Sequence, residues 1–207
     1  MYEEKIKHAL RELDINKAEH LNKTQLKTYS PKFLYALENI QNPDYDGLHL
    51  LYSHFRTLEG IGIFRLVLLQ NGFAEFKLTR KSKWTIQPAE NKPKFVLYTG
   101  TESTEEKEMI RNIFNSDWEK IPYYLSDELK KIAPNNHTGD IIRLFMISSS
   151  GAEGISLRNV NYVHIMEPYW HPVRTDQVIG RARRICSHED LPEEKKFVNV
   201  FMYLMTF

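Results

Sequence analysis

A chain of 207 residues with 42% hydrophobic content can bury one good core, or one core with a small appendage. Its 28 Lys and Arg stand against 27 Asp and Glu, so there is no whole-chain basic signature for nucleic acid and any such surface must be local. A single cysteine, Cys186, excludes an intramolecular disulfide framework and a multi-cysteine zinc site and points to a reducing intracellular compartment, cytoplasmic or nuclear, while no apolar run approaches the roughly 20 residues that cross a bilayer, so no membrane partner is expected.

Residues 1 to 29 are polar and charged and read as exposed helices or an arm. Ser30-Pro31 then supplies an N-cap and a proline at the first helical position for a helix over 32–40. A strand over 48–53 follows, then a helix over 58–70 that stops at Asn71-Gly72, and a strand over 74–78. Residues 79–93 are polar, hold two prolines and show no sustained period, which predicts a surface loop or insertion. Beyond it come a strand over 95–99, the capping box Ser103-x-x-Glu106 before a helix over 104–114, a second helix over 117–132 and a loop over 134–140. Strands over 141–148 and 162–166, a helix over 172–185 and a strand over 197–205 complete the chain. Short apolar strands alternating with amphipathic helices predict an α/β fold, a parallel sheet covered by helices on both faces. The expected organisation is a helical extension over 1–29 and one domain over 30–207. Its final apolar run suggests a segment cut from a longer protein.

Chemistry concentrates between Ser148 and Arg184. Ser148-Ser149-Ser150-Gly151-Ala152-Glu153-Gly154-Ile155-Ser156-Leu157 directly follows a strand, putting hydroxyls and glycines at the end of a strand where α/β sheets place ligands. Glycines permit close approach to phosphate or sugar, and hydroxyls and free amides donate to phosphate oxygens; the same run read alone is equally a turn. Glu167-Pro168-Tyr169-Trp170-His171-Pro172 is a stiff loop whose rings can pack or stack on a base. Trp170 alone is more often a packing residue, and His164, inside an apolar strand, reads as a satisfied core histidine. In Gln177-Val178-Ile179-Gly180-Arg181-Ala182-Arg183-Arg184-Ile185, a helical wheel puts Gln177, Arg181 and Arg184 within about 60°, Val178, Ala182 and Ile185 on an apolar stripe, and Arg183 on the far side. Guanidinium forks suit the charge spread over a transferring phosphoryl group, although arginines alone would pass for a solvated face.

In this order and spacing the three pieces resemble the C-terminal, RecA-like lobe of superfamily 2 helicases. Ser-x-x-Gly-x-x-Gly-Ile-x-Leu is similar to motif V and Gln-x-x-Gly-Arg-x-x-Arg to motif VI, while Glu167-x-x-Trp170-His171-Pro172 resembles a segment of the chromatin-remodelling branch. Leu51-Tyr52-Ser53-His54-Phe55 resembles motif IV, and the wording from Glu167 to His188 looks most like helicase-like ATPases of large DNA viruses. The resemblance, over about residues 28 to 207, implies that Arg184 is an arginine finger, that Arg181 is its companion at the nucleotide or lobe interface, and that Gln177, Glu153 and Gly154 lie at the ATP or that interface. It implies nucleic-acid contacts for Ser148 and Ser149, for Trp170 and His171, and more weakly for Ser53 and Gly100. Ser156 departs from the Asn of many relatives, and Cys186-Ser187 stands where remodellers have Gly-Gln.

No Gly-x-x-x-x-Gly-Lys-Ser/Thr occurs, nor a strand ending in an Asp-Glu pair. ATP and Mg2+ are therefore expected only in a protein that also carries a first RecA-like lobe, with DNA or RNA as the other partner, and this chain alone is expected to be inactive. The alternative is a non-catalytic nucleic-acid or protein interaction module with a helicase-like fold.

Overall fold

The computed structural model describes residues 2–58, 60–87, 91–100, 102–149, 154–168 and 171–205. Its strands are β1 (Leu48–Ser53), β2 (Ala74–Glu75), β3 (Leu78–Arg80), β4 (Trp84–Ile86), β5 (Lys94–Tyr98), β6 (Leu144–Ser148), β7 (Val160–Ile165) and β8 (Asn199–Met202). Six of them form a parallel sheet in the order β2-β5-β6-β1-β7-β8, and β3 pairs antiparallel with β4. Every residue of β1, β6 and β7 is buried, because the apolar side chains on successive positions are covered on both faces. The register sets Ser53 beside Ser148 and Tyr52 beside Ile165, so these strands end level with one another.

One face carries α1 (Tyr2–Ile15), α2 (Lys17–His20), α3 (Lys23–Tyr29), α4 (Pro31–Gln41) and α5 (Ile61–Gln70); the other carries α6 (Thr104–Phe114), α7 (Tyr123–Lys130) and α8 (Pro172–Ala182). The first core layer joins Leu37, Ile40 and Phe64 to Leu51 and Met146; the second joins Ile113, Phe114, Leu125 and Val178 to Leu50, Phe145 and Val163. Among the described residues the segment 2–29 forms three helices, as expected, and Leu10, Leu13, Leu21 and Leu26 lay it onto the first layer.

The sequence-marked caps close as expected. Ser30 Oγ accepts from the Phe33 amide and Ser103 Oγ from the Glu106 amide, while Asn71 caps α5 and Gly72 follows at φ +93°. Several expected elements differ, among them the strands over 74–78 and 141–148, which shorten to β2 and β6. The helix over 117–132 is split into a 3-10 turn, Trp118–Lys120, and α7, since Pro122 offers no amide to continue it. The helix over 58–70 starts only at Ile61, whose amide donates back to the Phe55 carbonyl behind the N-cap Gly60. The strand over 197–205 shrinks to β8. The loop over 79–93 holds the β3–β4 hairpin: Thr79 faces Thr85, with hydroxyls 2.8 Å apart, and Trp84 and Ile86 pack on the core.

Candidate functional site

The carboxyl ends of β1, β5, β6 and β7 lie at one edge of the sheet, and the loops leaving them build a shared rim. From this rim α8 departs with His171 at its N-cap and Pro172 at its first position. Thr175, Val178 and Ala182 turn inward, while Arg174, Gln177 and Arg181 fall within a sector of about 60° on the outer side. These three border a cavity of about 300 Å3 with Tyr52, His54, Ser149 and Val178. The structure thus brings Ser149, Gln177 and Arg181 together. It adds Tyr52, His54 and Arg174, which the sequence reading did not single out. Arg174 was findable: it precedes Gln177 by three residues and Arg181 by seven, the repeat of one helical face. Burial pushes the Tyr52 hydroxyl above its usual range, partly countered by the nearby Arg174 charge.

Arg184 requires a correction, because α8 ends at Ala182 and the helical wheel does not extend to it. The Ser187 hydroxyl donates to the Ala182 carbonyl and accepts from the Arg184 amide, Cys186 adopts φ +62°, and the Asn159 amide holds the Ser187 carbonyl. Cys186-Ser187, the departure noted in the sequence, is therefore part of what turns the chain here. Arg184 leaves toward a second cavity of about 290 Å3 with Ser156 and Arg158, its guanidinium 3.4 Å from the Ile155 carbonyl it donates to. Ile185, expected on the apolar stripe, is 96% exposed.

Other expected contacts prove to be internally engaged. Ser148 is buried and its hydroxyl donates to the Thr99 carbonyl. Ser53 is buried, its hydroxyl 2.8 Å from Glu167 Oε2, which also accepts the His54 amide, while Glu167 Oε1 pairs with Lys32. Both hydroxyls therefore shape the rim, and neither faces solvent where a phosphate could reach it. Glu167, the first residue of the stiff Glu167–Pro172 loop, is the tie. It joins the loop carrying His54, the loop leading to α8 and the start of α4. The Gly100 amide, at φ +93°, donates to Glu102, which also accepts from the Thr99 amide and hydroxyl. Burial raises the Glu102 carboxyl, but these hydrogen bonds together hold it below its ordinary value. Gly154 is exposed in the left-handed region at φ +71°. Glu153 and Trp170 lie outside the described residues.

A family model for the helicase conserved C-terminal domain matches residues 77–186. The chain belongs to the helicase C-terminal domain family. It is 31% identical over 186 residues to R563 of Acanthamoeba polyphaga mimivirus, provisionally named an ATP-dependent RNA helicase, covering 90% of this chain and 28% of that protein. It is 32% identical over 203 residues to a termination factor NPH-I homolog of African swine fever virus, covering 86% and 26%. The chain thus spans little more than a quarter of these relatives. Among solved structures, the C-terminal part of the Fun30 ATPase domain aligns over 82% of this chain and 38% of its own, at 19% identity and a TM-score of 0.47.

The helicase domain also holds a buried polar chain away from the rim. His49 Nδ1 and His164 Nε2 are 3.0 Å apart; His49 Nε2 lies 3.0 Å from the Tyr45 carbonyl, His164 Nδ1 2.8 Å from the Tyr203 hydroxyl, and that hydroxyl 3.0 Å from Asn39 Nδ2. A carbonyl only accepts and an amide nitrogen only donates, so neutral rings leave one consistent direction: Asn39 to Tyr203 to His164 to His49 to Tyr45. Burial holds His49 down to about 3, helped by the Arg143 charge, and holds His164 well below its ordinary value, helped by His49. His164 is the satisfied core histidine expected of it.

Proposed function

We propose that this chain is the second motor lobe of a nucleic-acid-dependent ATPase of superfamily 2. The observation that carries the reading is the α8 face, where Arg174, Gln177 and Arg181 meet Ser149 and His54 around one cavity at the carboxyl edge of the sheet. In this reading a first RecA-like lobe of the same protein binds ATP with Mg2+, and the two lobes close on it. Arg181 and Arg184 then reach the nucleotide from the two sides of the α8 terminus and stabilise charge on the transferring phosphoryl group. Gln177, Gly154 and Glu153 serve the nucleotide or lobe interface. Ser149, Trp170 and His171 face the backbone of DNA or RNA, and Ser53, Ser148 and Gly100 hold the rim that presents them. Among the described residues no three potential metal ligands converge, and what they offer a magnesium nucleotide is guanidinium and amide donors.

The test is nucleic-acid-stimulated ATP turnover by the complete protein. Arg181→Ala and Arg184→Ala each lower it by at least about a thousandfold, the lower end of the span known for arginine fingers, whereas Arg183→Ala changes it by less than about threefold. Unchanged turnover in both finger variants refutes the reading and leaves the interaction module.

A further inference from the structure

The charge of the chain is concentrated in one place. Between Lys77 and Lys94 there are six cations and one acid, a net of +5 in a chain whose total is +1, so the remaining residues sum to −4. Among the described residues of this stretch, 78–86 form the β3–β4 hairpin, and Lys77, Arg80, Lys81, Lys83 and Lys92 are exposed. The hairpin is a built element. Trp84 packs on the core, its amide donates to the Tyr124 hydroxyl of α7, and the Arg80 guanidinium lies over the Trp84 ring. Arg80 also pairs with Glu105 in the first turn of α6, the helix that follows the loop holding Gly100 at the carboxyl end of β5, and the Lys83 ammonium lies 5.5 Å from the centre of the Tyr124 ring of α7. Lys77 is balanced by Glu75, whereas Lys81 and Lys83 have no acidic partner among the described residues.

We infer that this hairpin is an accessory binding surface for the phosphate backbone of the nucleic acid, lengthening the track along the rim and read without regard to base sequence. The inference rests on the reading of the chain as a nucleic-acid motor lobe. Lysine ammonium groups at a turn, with Trp84 packed against the core beneath Arg80 and the Tyr124 ring covered by Lys83, suit point contacts to phosphate more than stacking on bases. A surface held by the core on one side and by α6 and α7 on the other also brings its charges to the strand already ordered.

The experiment uses the complete protein and a labelled mixed-sequence oligonucleotide, as single strand and duplex, DNA and RNA, with affinity measured from about 50 to 200 mM KCl. In Lys81→Ala/Lys83→Ala the plot of log affinity against log salt becomes shallower by about 1.8 on duplex DNA and about 1.4 on single strands, since each phosphate contact contributes about 0.9 or about 0.7, and affinity at about 100 mM falls at least about fivefold. Lys81→Arg/Lys83→Arg keeps the wild-type slope. A double-alanine slope and affinity equal to wild type overturn the hairpin's role while the motor reading stands; wild-type protein that binds no oligonucleotide defeats the motor reading itself. Labelled polyglutamate bound by the wild type and lost in the alanine variant, with oligonucleotide binding unchanged, overturns the inference in favour of an acidic protein partner.

Discussion

Cys186 carries a side chain at φ +62°, in the region where a Cβ crowds the backbone and where related sequences of the remodelling branch place glycine. Its side chain is exposed and hydrogen-bonded only at the surface, to Glu189, so no core packing is lost on its removal. Cys186→Gly is therefore expected to stabilise the domain by about 0.5–1 kcal/mol, read as a rise in the denaturant midpoint at constant m-value; an unchanged or lower midpoint removes strain as a feature of this turn. The two buried imidazoles act with the opposite sign on acidification. His49 titrates near 6.5 when unfolded and about 3 when folded, so the unfolded chain binds the extra proton between these values. Stability is full above about pH 6.5 and is lost as pH falls below it, by about 2 kcal/mol at pH 5 from His49 alone, with His164 adding in the same direction. Denaturation midpoints at pH 5 and 8 check this, and His49→Phe should flatten the difference. The chemistry of these residues was legible only in part. His164 announced itself as a polar group in an apolar strand, but its partners lie 115 and 39 positions away, at His49 and Tyr203, and no local pattern connects them.

Among the elements, those framed by local signals were found to within a residue or two: β1, α4, α6 and the end of α5 carry caps, a proline or uninterrupted apolar runs. Those decided by distant contacts were not. The end of α8 depends on Ser187 and Asn159, so continuing the helical period past Ala182 placed Arg184 on the wrong surface, while Arg181 was placed correctly. The hairpin was hidden because its alternation spans only three residues a side and its purchase on the core comes through Trp84 and Ile86. The loop between β1 and α5 is likewise tertiary. A Cβ on Gly60 would lie 2.1 Å from the Phe55 carbonyl oxygen and 2.5 Å from Ser53 Oγ, so no side chain fits unless the loop that holds His54 moves. Gly60→Ala is expected to cost about 2–3 kcal/mol, measured by denaturation, and to increase hydrogen exchange at the His54 amide as its bond to Glu167 loosens. Wild-type stability and exchange in that variant would show the loop to be less tightly set.

For the whole molecule, the candidate site was readable as a set of residue types at one end of a sheet, and the geometry decided which of them stand together. Ser149, Gln177 and Arg181 share a cavity; Ser53 and Ser148 became part of its frame; Arg184 moved to a neighbouring one. A strand order with β1 between β6 and β7 has a further consequence for synthesis. The ribosome delivers β1 first, yet its pairing partners begin at Leu144 and Val160, and Glu167, which fastens the loop after it, comes later still. An apolar strand made to be covered on both faces must therefore wait for about half the chain to emerge before it is sheltered, which makes the nascent domain a natural client for chaperones and its early truncation products prone to aggregate.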